Sequence, residues 1–131
     1  MAGAQVLPVL VGNDSIEAVT APGSLGEFGV LPGHAALVTT LETGEVAIKK
    51  DNREYWFAVS GGFAEVENDK MTILAEAAEP AQEIDTRRAE AARTQAEEKL
   101  KRVSSEDSEF SDLVLALKKA TNRIKVSARK T

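Results

Sequence analysis

Cysteine is absent from this 131-residue chain, and histidine occurs once. Those shortages exclude zinc fingers, iron–sulfur clusters and thiol nucleophiles, and they make a two-histidine metal site impossible. A Ser-His-Asp triad would have to use His34. With no disulfides, the fold must rest on its core. Proline and glycine stop early, the last proline being Pro80 and the last glycine Gly62. Long hydrophobic runs are missing too. The apolar stretch at residues 6–11 is far too short to span a bilayer, and the N-terminus lacks the basic start of a targeting segment. On sequence alone the chain reads as a soluble protein that reaches a membrane only through a complex.

What is present divides sharply. Residues 1–80 carry 4 basic and 12 acidic side chains, a net of −8, whereas residues 81–131 carry 12 basic and 9 acidic ones, a net of +3. With 43% hydrophobic residues the chain is globular rather than disordered. The charge asymmetry predicts two modules, a domain at 1–80 and a second at 81–131.

The first module reads as short strands separated by turns. Ile16 and Ala18 alternate with Glu17, and Val46 and Ile48 share a face. Residues 55–59 are apolar throughout, as in a strand covered on both sides. Ala64 and Val66 alternate with Glu65 and Glu67, and Met71, Ile73 and Ala75 fall together. Turn signals stand at Pro22-Gly23, Pro32-Gly33, Thr43-Gly44, Asp51-Asn52, Gly61-Gly62 and Asn68-Asp69. Strands at this spacing, with no helical crossover between them, predict an antiparallel sandwich or barrel. Gly61-Gly62 itself predicts a bulge or sharp bend rather than a ligand site.

Beyond Pro80 the period changes. Ala89, Ala92, Ala96, Leu100 and Val103 recur at helical steps, with Asp85 as N-cap. After a polar break at 104–107, Phe110, Leu113, Val114, Leu117, Ala120, Ile124 and Ala128 mark a second helix. A short break predicts an antiparallel hairpin. Its first stripe is mostly alanine, and each Ala in place of Leu forgoes about 2 kcal/mol of burial. Such a hairpin is marginal alone, so it either docks on the sheet domain or moves to another partner. The fold class expected is therefore mainly β plus α, an N-terminal β-sandwich followed by a C-terminal two-helix hairpin.

Three segments carry potential chemistry. The glycine-rich stretch 21–35 is not a phosphate loop, because no Lys-Ser/Thr follows and no helix opens after it. It reads as a looped connection whose exposed tip can meet a partner, with His34 bonded to local backbone. On a helix, Asp85, Arg88 and Ala89 share one face. This is either a cap with a surface ion pair or a carboxylate and guanidinium recognising a polar ligand such as a nucleotide. Finally, Lys118, Lys119, Arg123, Lys125, Arg129 and Lys130 follow Asp112 with no acid among them. Helix-dipole preference accounts for part of that, and an acidic protein or phosphate partner for the rest. Nucleic acid is disfavoured, because the patch is short, the whole chain is acidic and stacking aromatics are missing there. No nucleophile, metal site or acid–base pair supports an enzyme.

Five segments in series resemble the epsilon-subunit family of F-type ATP synthases. They are Ala-Pro-Gly-Ser-Leu-Gly-Glu-Phe-Gly-Val-Leu-Pro-Gly-His-Ala at 21–35, Val-Ser-Gly-Gly-Phe-Ala-Glu-Val at 59–66, Thr-Ile-Leu-Ala-Glu-Ala-Ala-Glu at 72–79, Ile-Asp-Thr-Arg-Arg-Ala at 84–89 and Ala-Leu-Lys-Lys-Ala-Thr-Asn-Arg-Ile-Lys-Val at 116–126. The resemblance implies a non-catalytic central-stalk subunit that couples proton flow to ATP synthesis. Its implied partners are the gamma subunit, the c-ring and the catalytic alpha and beta subunits. The implied location is peripheral, on the cytoplasmic face of a bacterial inner membrane. A c-ring contact is implied at Glu27, Phe28 and Gly29 with His34 nearby. The family's ATP motif, where present, falls on Ile84, Asp85, Arg88 and Ala89 with Lys119 and Arg123. Regulatory ATP is thus an optional ligand, and no cofactor is required. Lys119 stands where some ATP-binding members have Arg, and it lacks the planar fork. Inhibitory contact with the catalytic subunits is implied for Lys118, Lys119, Arg123 and Lys125. The alternative function is an adenine-nucleotide sensor with the hairpin as ATP site. The family's first strand is usually longer, so residues 5–15, with Pro8 and Gly12-Asn13, are expected to form a short or irregular one.

Overall fold

The computed structural model describes residues 5–10 and 16–130. The chain divides into two compact units, Met1–Pro80 and Ala81–Thr131.

The first unit is built from β1 (Gln5–Leu10), β2 (Ile16–Gly23), β3 (Gly26–Val30), β4 (Leu37–Thr40), β5 (Gly44–Lys50), β6 (Arg53–Glu67) and β7 (Lys70–Pro80). All pairings are antiparallel, in the order β1-β7-β6-β5-β2-β3, with β4 also paired to β6. The 15-residue β6 organises the sheet. One edge pairs with β7 from Phe57↔Pro80 to Glu67↔Lys70. Its other edge passes from β5, which ends at Gly44↔Val59, to β4, which begins at Thr40↔Phe63. That change of partner folds the sheet over its own core of Val19, Val30, Val46, Val59, Val66, Met71 and Ile73. Burying each of these side chains contributes about 1.5–3 kcal/mol.

Gly61 and Gly62 lie at the changeover with φ of 62° and 113°. The register with β7 stays in step across them, Ser60↔Ala77 then Gly62↔Ala75, so the feature is a bend within one strand and not a bulge. Asp51-Asn52 and Asn68-Asp69 have positive φ at both residues and close two-residue hairpins.

Several sequence expectations need correction. Pro22-Gly23 is the end of β2, and the turn follows at Ser24 and Leu25. In β2 the buried positions are Val19, Ala21 and Gly23, because the register with β5 shifts between Ile16 and Ala18 and flips the alternation. Most of the glycine-rich stretch is a β2–β3 hairpin rather than a loop. Tyr55 is 46% exposed, and only Ala58, Val59 and Ser60 are buried in succession. Over Gln5–Leu10 the first strand pairs with β7 without a break, and its place at the end of the strand order suits Pro8. Gly12 and Asn13 lie outside the described residues.

In the second unit a 3-10 turn (Ala81–Glu83) leads to α1 (Thr86–Leu100) and α2 (Phe110–Ser127), which pack together as a hairpin. Ala89 and Ala96 are buried, as the alanine stripe predicts, while α1 stops three residues short of Val103. On α2 the inward face drifts from the apolar pattern. Val114 and Ala128 are exposed, and Ala120, Val126 and Ser127 are buried. Ser127 is satisfied there because its hydroxyl donates to the Ile124 carbonyl at 2.7 Å.

Candidate functional site

Two surfaces hold the residues singled out by sequence, one in each unit.

The first surface is β3 and the turn after it. β3 ends the strand order, so one of its edges has no strand partner among the described residues. Along it Glu27 and Gly29 are exposed, and Phe28 points the other way, half-buried against the core. Phe28 thus anchors the strand that displays Glu27. Residues 31–34 then form a turn in which the His34 amide donates to the Leu31 carbonyl at 3.1 Å, with Gly33 at φ 83°. This is the type II pattern, Pro32 before a left-handed glycine. The His34 Nδ1 donates to the Ala35 carbonyl at 2.6 Å, as the reading of local backbone use expects. Glu27, Phe28, Gly29 and His34 therefore lie on one short run of chain, with Glu27 and Gly29 outermost.

Sequence reasoning missed two residues here. Leu25 is 102% exposed and Leu31 is 62% exposed, at opposite ends of β3. A five-residue strand separates them by roughly 17–20 Å. The signal was available, since each is a large apolar residue beside a Gly or Pro turn. The Leu25 turn is rigid, because the Ser24 amide donates to the Thr40 carbonyl at 3.0 Å and the Ser24 and Thr40 hydroxyls bond each other.

The second surface is the hairpin. Asp85 sits at φ −82°, ψ 100°, and its Oδ1 accepts the Arg88 amide at 3.1 Å, so it is the N-cap of α1. Ile84 and Ala89 are buried, whereas Arg88 is exposed. The Lys130 ammonium donates to the Ile84 carbonyl at 2.6 Å, which places the end of α2 beside the start of α1. At 1.5 Å per residue, Arg123 then lies about level with the first two turns of α1, and Lys119 about one turn further along. Lys119 and Arg123 are half-buried, and they, like Lys125 and Arg129, have interaction partners. Lys118 and Lys125 are exposed. The cations thus differ in exposure, Lys119 and Arg123 being half-buried and Lys118, Lys125, Arg129 and Lys130 exposed. Asp85 and Arg88 stand at the start of α1, with Arg123 one to two turns in from that end and Lys118 further along. Among the described residues no group of three His, Cys, Asp or Glu is placed to hold a metal ion, and no helix is long and apolar enough to cross a membrane. A polar cleft of about 430 Å³ is lined by Glu65, Glu67, Asn68, Lys70 and Thr72, away from both groups in sequence.

Residues 9–81 match the ATP synthase delta/epsilon chain beta-sandwich domain, and residues 82–128 match the delta/epsilon chain long alpha-helix domain. The chain belongs to the ATP synthase delta/epsilon family. It is 49% identical over 117 residues to the ATP synthase epsilon chain of Geotalea uraniireducens (strain Rf4), covering 89% of this chain and 85% of that one. It is 44% identical over 117 residues to the epsilon chain of Geobacter sulfurreducens, with the same coverage. A chain in the cryo-EM structure of Euglena gracilis mitochondrial ATP synthase, OSCP/F1/c-ring in rotational state 1, superposes with a TM-score of 0.72 at 27% identity, covering 88% of this chain and 71% of that one. The family expected from the five segments is the family found.

Proposed function

We propose that this chain is a non-catalytic rotor subunit of an ATP synthase. In this reading its sandwich binds the gamma subunit and the c-ring, and its hairpin restrains ATP hydrolysis by meeting the catalytic alpha and beta subunits. It would sit on the cytoplasmic face of a bacterial inner membrane and touch the bilayer only through the complex. The ring contact is assigned to Glu27, Phe28, Gly29 and His34, extended here to the exposed Leu25 and Leu31. The single observation that carries the restraint is the charge of α2 and the residues just after it, where six cations follow Asp112 without an acid and Lys118 and Lys125 stand exposed. Such a face is attracted to an acidic protein surface over roughly 10 Å at moderate salt.

The experiment is charge reversal in the assembled enzyme. Lys118→Glu with Lys125→Glu is expected to raise ATP hydrolysis by about two-fold or more, since each exposed pair converted from attraction to repulsion shifts the balance by about 0.2–1 kcal/mol. Raising the salt should narrow the difference from the unaltered enzyme. Equal hydrolysis by the two enzymes at low salt would remove the inhibitory role of this face.

A second reading, a nucleotide-sensing hairpin, is favoured by one observation. Asp85 and Arg88 stand at the end of the hairpin that the Lys130 contact closes, and helical rise sets Arg123 one to two turns in from that end. In that reading Ile84, Asp85, Arg88, Ala89, Lys119 and Arg123 hold regulatory ATP and stabilise the closed form. The two readings combine when ATP binding favours the form that does not inhibit.

A further inference from the structure

Asp69 does something that a turn residue need not do. It occupies the second position of the two-residue turn between β6 and β7, at φ 62°. Such turns favour glycine at this position, and asparagine and aspartate are the L residues that tolerate it at some cost. The chain nevertheless keeps an aspartate, and its Oδ1 accepts the Gly33 amide at 2.6 Å, across 36 residues of sequence.

The accepted amide is the one that the turn at residues 31–34 cannot satisfy itself. The turn bond runs from the His34 amide to the Leu31 carbonyl, which leaves the Gly33 amide in the middle of the turn pointing away from it. The sheet brings the two turns together: the loop leads into β4, whose Leu37 pairs with Val66, and the β6–β7 turn begins just beyond Val66. A charge-assisted bond of this length is among the stronger ones available to a surface loop.

We propose that Asp69 is a positioning residue for the partner-binding turn that carries Leu31 and His34. Its carboxylate fixes the peptide between Pro32 and Gly33, and so sets the direction in which Leu31 and the His34 ring leave the surface. The proposal rests on the reading of this turn as part of the ring contact. It assigns the strain at residue 69 to binding rather than to folding.

The test is Asp69→Gly in the full chain, since glycine relieves the turn and removes the carboxylate together. Thermal stability should stay level or rise. Hydrogen exchange at the Gly33 amide should quicken by about ten-fold or more, as expected for loss of a bond to a charged acceptor. In vesicles carrying the assembled enzyme, proton-driven ATP synthesis should fall at least about two-fold, and Asp69→Asn, which keeps an acceptor oxygen, should recover part of both effects. Unchanged exchange at Gly33 overturns the positioning role. So does unchanged synthesis with Asp69→Gly when Leu31→Ser lowers it. If neither variant alters synthesis, the ring-contact reading of this turn falls, and the proposal falls with it.

Discussion

Removing residues 81–131 is expected to raise ATP hydrolysis by the assembled enzyme at least about five-fold while assembly stays intact. The lower bound follows from the 1–3 kcal/mol typical of coupling between two sites, which corresponds to about 5–150-fold. Assembly should survive because the cut falls between compact units, Met1–Pro80 and Ala81–Thr131. The cluster of Val19, Val46, Val59, Met71 and Ile73 lies wholly within the first of them. The gain should exceed that of the Lys118 and Lys125 reversal, because truncation also removes the exposed Val114 and Leu115. Hydrolysis that does not change on truncation would show that the hairpin restrains nothing in this enzyme.

Gly62→Ala is expected to unfold the sandwich or to lower its Tm by at least about 15 °C. A Cβ at Gly62 would lie 1.9 Å from the Leu74 carbonyl oxygen and 2.8 Å from the Ala75 Cα, and both are backbone atoms that cannot swing aside. The φ of 113° adds strain for any L residue. Relieving the clash means separating β6 from β7 at the point where β6 changes partners. A loss above about 4 kcal/mol consumes much of the 5–15 kcal/mol that holds a domain together. Each kcal/mol moves Tm by about 4–8 °C in a domain of this size. The single tryptophan, Trp56 on β6, reports the transition by fluorescence. Gly29→Ala is the control, with no atom nearer than 3.9 Å to its added Cβ. A shift of a few degrees for Gly62→Ala would mean that the strands part easily there.

Local features were the legible ones. The alternation of Ala64 and Val66 with Glu65 and Glu67 matches burial residue by residue, as does the set Met71, Ile73 and Ala75. Asp85 was readable as a cap because capping needs only a carboxylate three residues before the amide it accepts. What failed depended on distant partners. In β2 the sequence shows Val19 breaking the Ile16 and Ala18 alternation, but only the register shift opposite β5 shows that the buried face continues from Val19 to Ala21 and Gly23. Leu37–Thr40 was not read as a strand, since four residues with two threonines carry too little pattern. The buried Ser127 is invisible to an apolar count because its hydroxyl bonds within its own helix. The fastening of Gly33 by Asp69 spans 36 residues, so no local motif could announce it. In the candidate sites, residue types were readable, while exposure was not. Only the structure separates the exposed Lys118 and Lys125 from the half-buried Lys119 and Arg123.

The proposed restraint and the proposed nucleotide site together require a hairpin that opens and closes in the assembled enzyme, with nucleotide favouring the closed form. The absence of cysteine makes a direct measurement clean. Glu90→Cys on α1 and Thr121→Cys on α2 are exposed positions for a pair of spin labels. In the assembled enzyme, pulsed electron resonance should find two distance populations. The shorter, about 20 Å once label arms are added to the 8–10 Å between packed helix axes, should grow at millimolar MgATP. The longer should dominate without nucleotide. A single short distance under both conditions would contradict the account, because nucleotide would then have no open form of the hairpin to disfavour.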